Sequence, residues 1–323
     1  MKNARGEDME PILFLVIPCY NEEEVLYKTN QCVGDKLRRM VADKLVSLES
    51  RILYVNDGSQ DRTWEIIQEL YRQDEYVTGI SLSRNKGHQN ALLAGLMTAK
   101  EHADIVISMD ADLQDDVEVL DKFVEEYKKG NDIVYGVRKS RKKDTAFKRC
   151  TALAFYKLMR LFGVDMVYNH ADYRLMSKRA LDGLERFREV NLFLRGIVPM
   201  IGYPASTVEY DRGERAAGES KYPLRKMFRF AVEGITSCSV KPIRMITAMG
   251  LLVSFLSVVY LIYILIGNAM GYTIKGWTTV MVVMLILGGF QIFSIGIVGE
   301  YISKIYLEVK DRPRYIIEDT MIK

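Results

Sequence analysis

The sequence predicts an α/β fold, a doubly wound parallel sheet followed by two membrane-spanning helices. Short apolar segments typical of buried strands alternate with helical patterns through the N-terminal part of the chain. This alternation indicates a parallel sheet covered by helices. Acidic and polar residues directly follow several of these segments, at the sheet edge where such folds bind ligands. Two long stretches near the C-terminus carry no charge, as expected of membrane spans.

The expected elements follow in a regular order. Strands are predicted at residues 11–18, 51–55, 77–82, 104–109 and 132–137. The acidic residues 22–24 are expected to open a first helix that runs to about residue 45. Asp61 is expected to cap the second helix, and Asp116 a helix over residues 117–129.

Composition argues against several classes of protein. The 323 residues carry a net charge of +3, so no overall positive field indicates nucleic acid as a partner. The four cysteines show no C-x-x-C spacing, and we expect reduced thiols. The first ten residues are polar, so no secretory signal peptide is expected.

The charge-free stretches span residues 245–267 and 277–299. At about 1.5 Å per helical residue, each is long enough to cross a hydrocarbon core of about 30 Å. Lysines and arginines flank both outer ends, whereas the short connection holds only Lys275. The positive-inside rule therefore predicts a cytoplasmic domain over residues 1–240, a membrane hairpin over 241–303 and a cytoplasmic tail over 304–323.

Two further stretches, at about residues 145–162 and 222–237, combine an apolar stripe with many lysines and arginines. Basic amphipathic helices next to membrane spans typically lie among anionic lipid headgroups. We therefore predict two interfacial helices. The alternative, ordinary packing with solvated cations, stays open from the pattern alone.

Asp110 and Asp112 follow the fourth predicted strand, one residue apart. Alternate residues of an extended chain point the same way, so both carboxylates can face one site. Mg²⁺ is commonly held by one or two carboxylates together with substrate phosphate oxygens. The pair thus predicts a metal–diphosphate site. The other interpretation is a plain loop that leads into the next helix.

Six motifs of this chain resemble those of one enzyme family and follow the family order. They are residues 17–23 (IPCYNEE), 56–59 (NDGS), 85–89 (NKGHQ), 110–115 (DADLQD), 218–222 (GESKY) and 299–302 (GEYI) with 312–315 (RPRY). Together they resemble glycosyltransferase family 2 of GT-A fold, which is Rossmann-like. The branch most similar makes polyprenyl-phosphate sugars and ends in two membrane helices, like GtrB-type and dolichol-phosphate-mannose-synthase-like enzymes. The resemblance covers about residues 11–316.

The chain departs from the family pattern in small ways. Relatives often have a β-branched residue in place of Cys19 and an aromatic residue in place of Lys86. The Gln-x-x-Arg-Trp motif of processive synthases is absent, and residues 191–195 stand in that region instead. This difference favours the transfer of one sugar per acceptor.

The resemblance implies an inverting, Mg²⁺- or Mn²⁺-dependent transfer of one sugar from a nucleotide sugar to polyprenyl (undecaprenyl) phosphate. UDP-glucose and UDP-N-acetylglucosamine are the leading donors. The product would be a lipid-linked sugar for glycosylation of the cell envelope. We expect an integral protein of the bacterial plasma membrane, with the catalytic domain and both termini in the cytoplasm. The sequence does not decide the oligomeric state, and a homo-oligomer is one of the alternatives.

The resemblance also assigns roles to individual residues. Asp112 is expected to bind the metal directly, and Asp110 to bind the metal or the ribose. Asp172 matches the position usually given to a catalytic base, or serves as a positioning group. The residues expected to contact the nucleotide sugar are Pro18, Tyr20, Glu22, Asp57, Lys86, Gln89, Asp110, Ala111 and Gln114. The residues expected to contact the acceptor phosphate are Arg138, Arg141, Arg215 and Lys221.

Three points stay open at this level. The Gly-rich loop 212–222 is either a lid or phosphate clamp, or a plain connection. A glycosyltransferase acting on a lipid alcohol would keep the fold and need Asp172 as a true base. A membrane-anchored sensor of nucleotide sugars would bind its ligand without turnover.

Overall fold

The computed structural model describes residues 10–139, 162, 170–211, 213, 235–237, 239–270 and 276–323. Within them the chain forms an eight-stranded sheet, helices on both of its faces and two long C-terminal helices. The strands are β1 (Leu13–Cys19), β2 (Arg51–Asn56), β3 (Val77–Leu82), β4 (Ile105–Ser108), β5 (Ile133–Arg138), β6 (His170–Ser177), β7 (Ala205–Tyr210) and β8 (Ile317–Met321). The helices are α1 (Leu26–Ala42), α2 (Thr63–Gln73), α3 (His88–Lys100), α4 (Leu120–Lys128), α5 (Lys178–Glu185), α6 (Leu194–Met200), α7 (Lys241–Ala269) and α8 (Trp277–Val309).

The strand order is β7-β5-β6-β4-β1-β2-β3-β8. The neighbours from β4 through β1 and β2 to β3 are parallel, which confirms the predicted doubly wound arrangement there. The sheet as a whole is mixed, because β6 runs antiparallel to both β4 and β5. The strand β6 starts at the edge where β4 and β5 end, so it has to run back across the sheet.

Helices cover both faces of the sheet. On one face α1, α2 and α4 pack apolar side chains such as Leu37, Ile67 and Phe123 against the strands. On the other face α3, α5 and α6 do the same with residues such as Leu92 and Leu181. The strands β1 and β3 are buried along their whole length, as expected of strands covered on both sides.

The prediction that residues 22–24 form the first turn of a helix is wrong. The helix α1 begins at Leu26, and its first turn holds no acidic residue. The backbone N–H groups of Asn21, Glu22 and Glu23 instead donate to side chains of the loop that follows β2. Because these N–H groups are fixed on a neighbouring loop, the helix starts only after them.

Of the two predicted helix caps, Asp116 is confirmed, whereas Asp61 lies one residue before Arg62, the N-cap of α2. The carboxylate of Asp116 accepts the backbone N–H of Glu118 at 2.9 Å, at the start of a short 3₁₀ turn (Val117–Val119) before α4. The carboxylate of Asp61 accepts the backbone N–H of Thr63 at 3.0 Å. Each carboxylate satisfies a backbone donor that the helix itself leaves unpaired.

The helices α7 and α8 contain the predicted spans. By length and composition, the described chain has two segments able to cross a membrane, Lys241–Tyr260 and Val282–Val309, with mean hydropathy 1.8 and 2.2. Their apolar side chains are largely exposed rather than packed on the sheet, for example Phe255 and Ile292. A hydrocarbon environment would cover such a surface. The predicted interfacial helices, 145–162 and 222–237, lie almost wholly outside the described residues.

The C-terminal segment is part of the sheet. The strand β8 pairs antiparallel with β3, with Ile80 opposite Thr320. Residues 304–309, assigned from the sequence to a tail, belong to α8. The segment 304–323 is therefore built into the helix and the catalytic sheet.

Candidate active site

Four loops meet where the parallel strands β1 to β4 end. They carry Glu22 after β1, Asp57 after β2, His88 at the start of α3, and the pair of aspartates after β4. Asp172 reaches the same edge from the opposite direction, because β6 is antiparallel and Ser108 at the end of β4 pairs with Arg174. The fold thus brings together residues that are far apart in sequence.

The loops after β1 and β2 are joined by hydrogen bonds. Asn21 donates its backbone N–H to Ser59 Oγ at 3.1 Å, and Glu22 donates to Thr63 Oγ1 at 2.9 Å. Tyr20 is exposed on this surface, whereas Pro18 is buried within β1. Of these two predicted donor contacts, Tyr20 is therefore accessible on the surface and Pro18 is not.

Asp57 shapes the loop before α3. Its two carboxylate oxygens accept the backbone N–H groups of Lys86 and Gly87 at 2.7 and 2.9 Å. Burial raises the pKa of Asp57, although both hydrogen bonds act in the opposite direction. Asp57 thereby fixes the backbone at Lys86. Both of its carboxylate oxygens are engaged by the protein itself rather than directed at a ligand.

The segment after β4 is held from two sides. The carboxylate of Asp112 accepts the backbone N–H of Gln114 at 3.1 Å, and Leu113 between them has a positive φ of 54°. The carbonyl oxygen of Ala111, itself buried, accepts from Thr29 Oγ1 at 2.7 Å. The carbonyl oxygen of Gln114 accepts from the N–H of Gly213 at 2.9 Å. The aspartates therefore lie on a fixed backbone.

The carboxylate oxygens of Asp110 and Asp112 are of the type that binds a divalent cation together with oxygens of a substrate. Burial raises the pKa of Asp110, and the charges of Asp172 and Asp112 add to this effect while His88 opposes it. Over the described ranges, no group of three or more His, Cys, Asp and Glu side chains is arranged to hold a metal ion. Two carboxylates completed by phosphate oxygens are the set in which Mg²⁺ is commonly found.

Asp172 lies between two arginines. Its Oδ1 accepts from Arg174 Nη2 at 2.7 Å, and its Oδ2 accepts from Arg195 Nη2 at 2.9 Å. The side chain of Arg174 is only 1% exposed, so this ion pair is shielded from water. Burial by itself would raise the pKa of Asp172, but the guanidinium groups of Arg195 and Arg174 hold that pKa well below its usual range.

His88 stands between the two acidic groups of the site. Its Nε2 is 3.8 Å from Asp110 Oδ1 and 3.7 Å from Asp172 Oδ2. His88 lies within one of the sequence motifs, but the motif assigns it no role. Arg174 likewise has no role assigned from the sequence. A spacing of two residues on a strand, as between Asp172 and Arg174, is the signal that could have linked that pair.

Gln89, expected to contact the donor, has a contact within the protein. Its side-chain oxygen accepts the backbone N–H of Leu194 at 2.9 Å. Leu194 is the first residue of α6, and Arg195 follows it. Gln89 therefore ties the start of α3 to the start of the helix that supplies Arg195.

Arg138 ends β5 at the same edge and points to a second acidic group. Its Nε donates to the hydroxyl of Tyr210 at 3.4 Å, and this hydroxyl donates to Asp115 Oδ1 at 2.6 Å. Burial, with a contribution from Asp110, raises the pKa of Asp115 to about 6. The other residues expected at the acceptor phosphate, Arg141, Arg215 and Lys221, lie outside the described residues.

Comparison with known proteins identifies relatives along the whole chain. Residues 14–184, just over half of the chain, match the family model of glycosyl transferase family 2, and residues 241–305 match that of the GtrB C-terminal hairpin. An uncharacterized glycosyltransferase of Bacillus subtilis, YkoT, is 52% identical over 309 residues, covering 96% of this chain and 92% of the relative. The bactoprenol glucosyl transferase of Shigella phage SfII is 40% identical over 311 residues, covering 94% and 96%.

A solved structure with the same fold is mannosyl-3-phosphoglycerate synthase from Rubrobacter xylanophilus. It aligns with a TM-score of 0.50 at 16% identity, covering 73% of this chain and 74% of that enzyme. At this identity the likeness concerns the fold alone.

Proposed function

The chain belongs to glycosyl transferase family 2 and is a glycosyltransferase, and from this premise we propose that it transfers one sugar from a nucleotide sugar to a polyprenyl phosphate. The observation that carries the proposal is the sheet edge itself. The Asp110–Asp112 segment lies there, with His88 beside Asp110 and the guanidinium groups of Arg174 and Arg195 held by Asp172. Such an edge suits a reaction in which a diphosphate leaves and a phosphate attacks.

The acceptor is inferred from relatives and from the two long helices. Several relatives about 40% identical are named bactoprenol glucosyl transferases. A polyprenyl chain stays in the bilayer, so an enzyme that acts on its phosphate has to work at the membrane surface. The GtrB-type hairpin would hold the catalytic domain there.

The donor is proposed to be UDP-glucose. Glucose is the sugar in the names of the phage and prophage relatives, and it was one of the two sugars expected from the sequence. UDP-N-acetylglucosamine is the competing donor in the experiment below. The nucleotide would lie against the joined loops of residues 20–23 and 56–59.

A divalent cation, Mg²⁺ or Mn²⁺, would be held by Asp112 and Asp110 and would neutralise charge on the departing diphosphate. Residues of the chain itself would position the loops and the substrates. Asp57 fixes the loop at Lys86, and Asp172 holds Arg195 at the edge of the sheet. Arg138, at the end of β5, would attract the acceptor phosphate.

The ionised state of Asp172 favours a phosphate acceptor over a lipid alcohol. An alcohol needs a base whose pKa lies near the working pH, and the pKa of Asp172 is held far below it. A phosphate monoester has a second pKa of about 6 and is already mostly dianionic at neutral pH. It needs orientation by cations rather than deprotonation.

We also propose that the catalytic domain and both termini face the cytoplasm. Lys241 and Arg244 precede the first span, and Lys304, Lys310, Arg312 and Arg314 lie at or beyond the end of the second. Positively charged residues concentrate on the cytoplasmic side of membrane spans. Protease accessibility in sealed inverted vesicles would measure this orientation.

The decisive experiment incubates detergent-purified protein with undecaprenyl phosphate, Mg²⁺ or Mn²⁺, and either UDP-glucose or UDP-N-acetylglucosamine. Mass spectrometry of the lipid is expected to show the mass of one hexose added. Excess chelator, Asp112→Ala and Asp110→Ala are each expected to reduce the rate by at least about 100-fold, while Asp43→Asn, an exposed carboxylate, leaves it unchanged. UDP binding without any change in the lipid would instead indicate a sensor, and full activity in chelator would refute the metal role.

A further inference from the structure

The last turns of α8 present a polar face to the catalytic domain. Tyr301, Lys304 and Glu308 are spaced three and four residues apart, so they lie on one side of the helix. The hydroxyl of Tyr301 donates to the carbonyl of Ser239 at 2.6 Å, and Lys304 Nζ donates to Ser237 Oγ at 3.0 Å. Other residues of these turns, such as Ile305, are apolar and exposed. The polar face is therefore the part of the helix that docks.

Glu308 makes a two-pronged contact on this face. Its Oε2 accepts the backbone N–H of Val190 at 2.9 Å, and its Oε1 accepts the backbone N–H of Asn191 at 3.1 Å. A carboxylate that accepts two consecutive N–H groups fixes both the position and the direction of that backbone. Farther along the tail, Arg314 Nη1 donates to the carbonyl of Phe187 at 3.1 Å. The segment 187–191 is thereby attached to the end of the long helix at several points.

This segment leads directly into the active site. Leu194, three residues beyond Asn191, donates its backbone N–H to Gln89, and Arg195 then pairs with Asp172. A connection of three residues spans at most about 11 Å, so the attachment of Asn191 limits where Leu194 and Arg195 can lie. The position of Arg195 therefore depends on where the end of α8 holds the chain.

We propose that Glu308 is a positioning residue for sugar transfer. By binding the N–H groups of Val190 and Asn191, it sets Arg195 against Asp172 and ties the active-site edge to the membrane hairpin. This inference rests on the proposed function, because the effect of changing Glu308 is measured as the rate of sugar transfer. In the described part of the chain Glu308 binds the backbone of Val190 and Asn191 rather than a group at the sheet edge, so it acts through residues 190–195.

The test compares Glu308→Ala and the isosteric Glu308→Gln with Glu318→Gln, which changes an exposed carboxylate on β8. We expect kcat to fall by about 10- to 100-fold in Glu308→Ala, the range that misplacement of a catalytic array produces, with a small change in donor KM. Glu308→Gln keeps one acceptor oxygen and is expected to fall between. Hydrogen exchange of the Val190 and Asn191 amides is expected to accelerate in both variants and to be unchanged in Glu318→Gln.

A double-mutant cycle separates positioning from a general loss of stability. If Glu308 acts through Arg195, then Glu308→Ala adds little to the defect of Arg195→Ala. Additive defects, unchanged exchange at the two amides, or wild-type kcat in Glu308→Ala would each overturn the inference. If the unaltered protein transfers no sugar to polyprenyl phosphate, the proposed function fails instead, and the two failures are thereby told apart.

Discussion

At the scale of single residues, Asp172 shows how surroundings set a chemical role. The carboxylate lies against Arg174 and Arg195, and its pKa is held well below the usual range despite burial, which acts the other way. A carboxylate that stays ionised at neutral pH is a weak base. Its charge instead serves to hold two guanidinium groups, one of which, Arg195, reaches the open edge of the site.

Asp172→Asn tests this role through stability. Removal of the charge leaves Arg174 buried without its partner, and the expected cost is about 3–5 kcal/mol at neutral pH. The pKa of Asp172 is lower in the folded than in the unfolded state, so its stabilising effect is present above about pH 4 and is lost as the pH falls further.

Thermal unfolding of the purified protein and of Asp172→Asn provides the measurement. The difference between them is expected to be large at pH 7 and to shrink as the pH is lowered below about 4. Asp43→Asn, at an exposed position, is the matched control and should show no such trend. A difference that grows on acidification would contradict the assignment.

The sequence predicts some of the site residues and not others, for a physical reason. Asp110 and Asp112 were predicted because strand periodicity and local spacing place both at one strand end. Arg195 lies 23 residues beyond Asp172 in sequence, and only the tertiary fold brings the two side chains into contact. Its role is a property of tertiary structure, and local patterns do not contain it.

At the scale of elements, the loops that follow β2 and β3 behave as one unit. Gly58 has a positive φ of 61°, and a Cβ there would lie 2.5 Å from backbone atoms of Arg84 and Asn85. Asp57 closes the same contact by binding Lys86 and Gly87. The close approach of two backbones, rather than a single side chain, gives this part of the sheet edge its shape.

Gly58→Ala is expected to separate these loops. A side chain at this positive φ lowers the free energy of unfolding by about 1–3 kcal/mol, and the steric contact with residue 84 lowers it further. We expect a lower melting temperature and a donor KM raised several-fold. Gly130→Ala is the control, since Gly130 also has a positive φ but nothing within 4 Å of the added Cβ. Equal effects on donor KM would contradict the explanation.

Elements were predictable where one pattern decides them. The strands at residues 77–82 and 132–137 agree with β3 and β5 to within a residue, because short segments rich in Val and Ile that are bounded by polar residues favour strands. The start of α1 was misplaced by about four residues. Acidic residues before an apolar stretch signal a helix start, yet here their backbone is bound by the neighbouring loop, a contact that no local pattern reveals.

At the scale of the whole molecule, the C-terminus completes the catalytic sheet. The strand β8 covers the edge of β3, and Lys323 Nζ donates to the carbonyl oxygens of Tyr71 and Asp74 at 2.6 and 2.9 Å. The sequence predicted the hairpin, since charge-free runs have a strong signal. It did not predict β8, because a five-residue edge strand with exposed polar side chains resembles an ordinary tail.

Deletion of residues 317–323 is expected to destabilise the catalytic domain and to promote association through the open edge of β3. A loss of about 2 kcal/mol would lower the melting temperature by roughly 4–8 °C. Melting in detergent and light scattering measure the two effects. A chain that lacks only residues 322 and 323 keeps the strand and should lose less. Unchanged melting after the longer deletion would show that β8 is dispensable.

The position of β8 also fixes the order in which the protein can be completed. The chain is synthesised from its N-terminus, so strands β1 to β7 emerge before the hairpin, and residues 317–321 emerge after it. Until then β3 keeps an unpaired side. The finished catalytic domain therefore appears only after both long helices have been synthesised, which couples maturation of the enzyme to the making of its membrane hairpin.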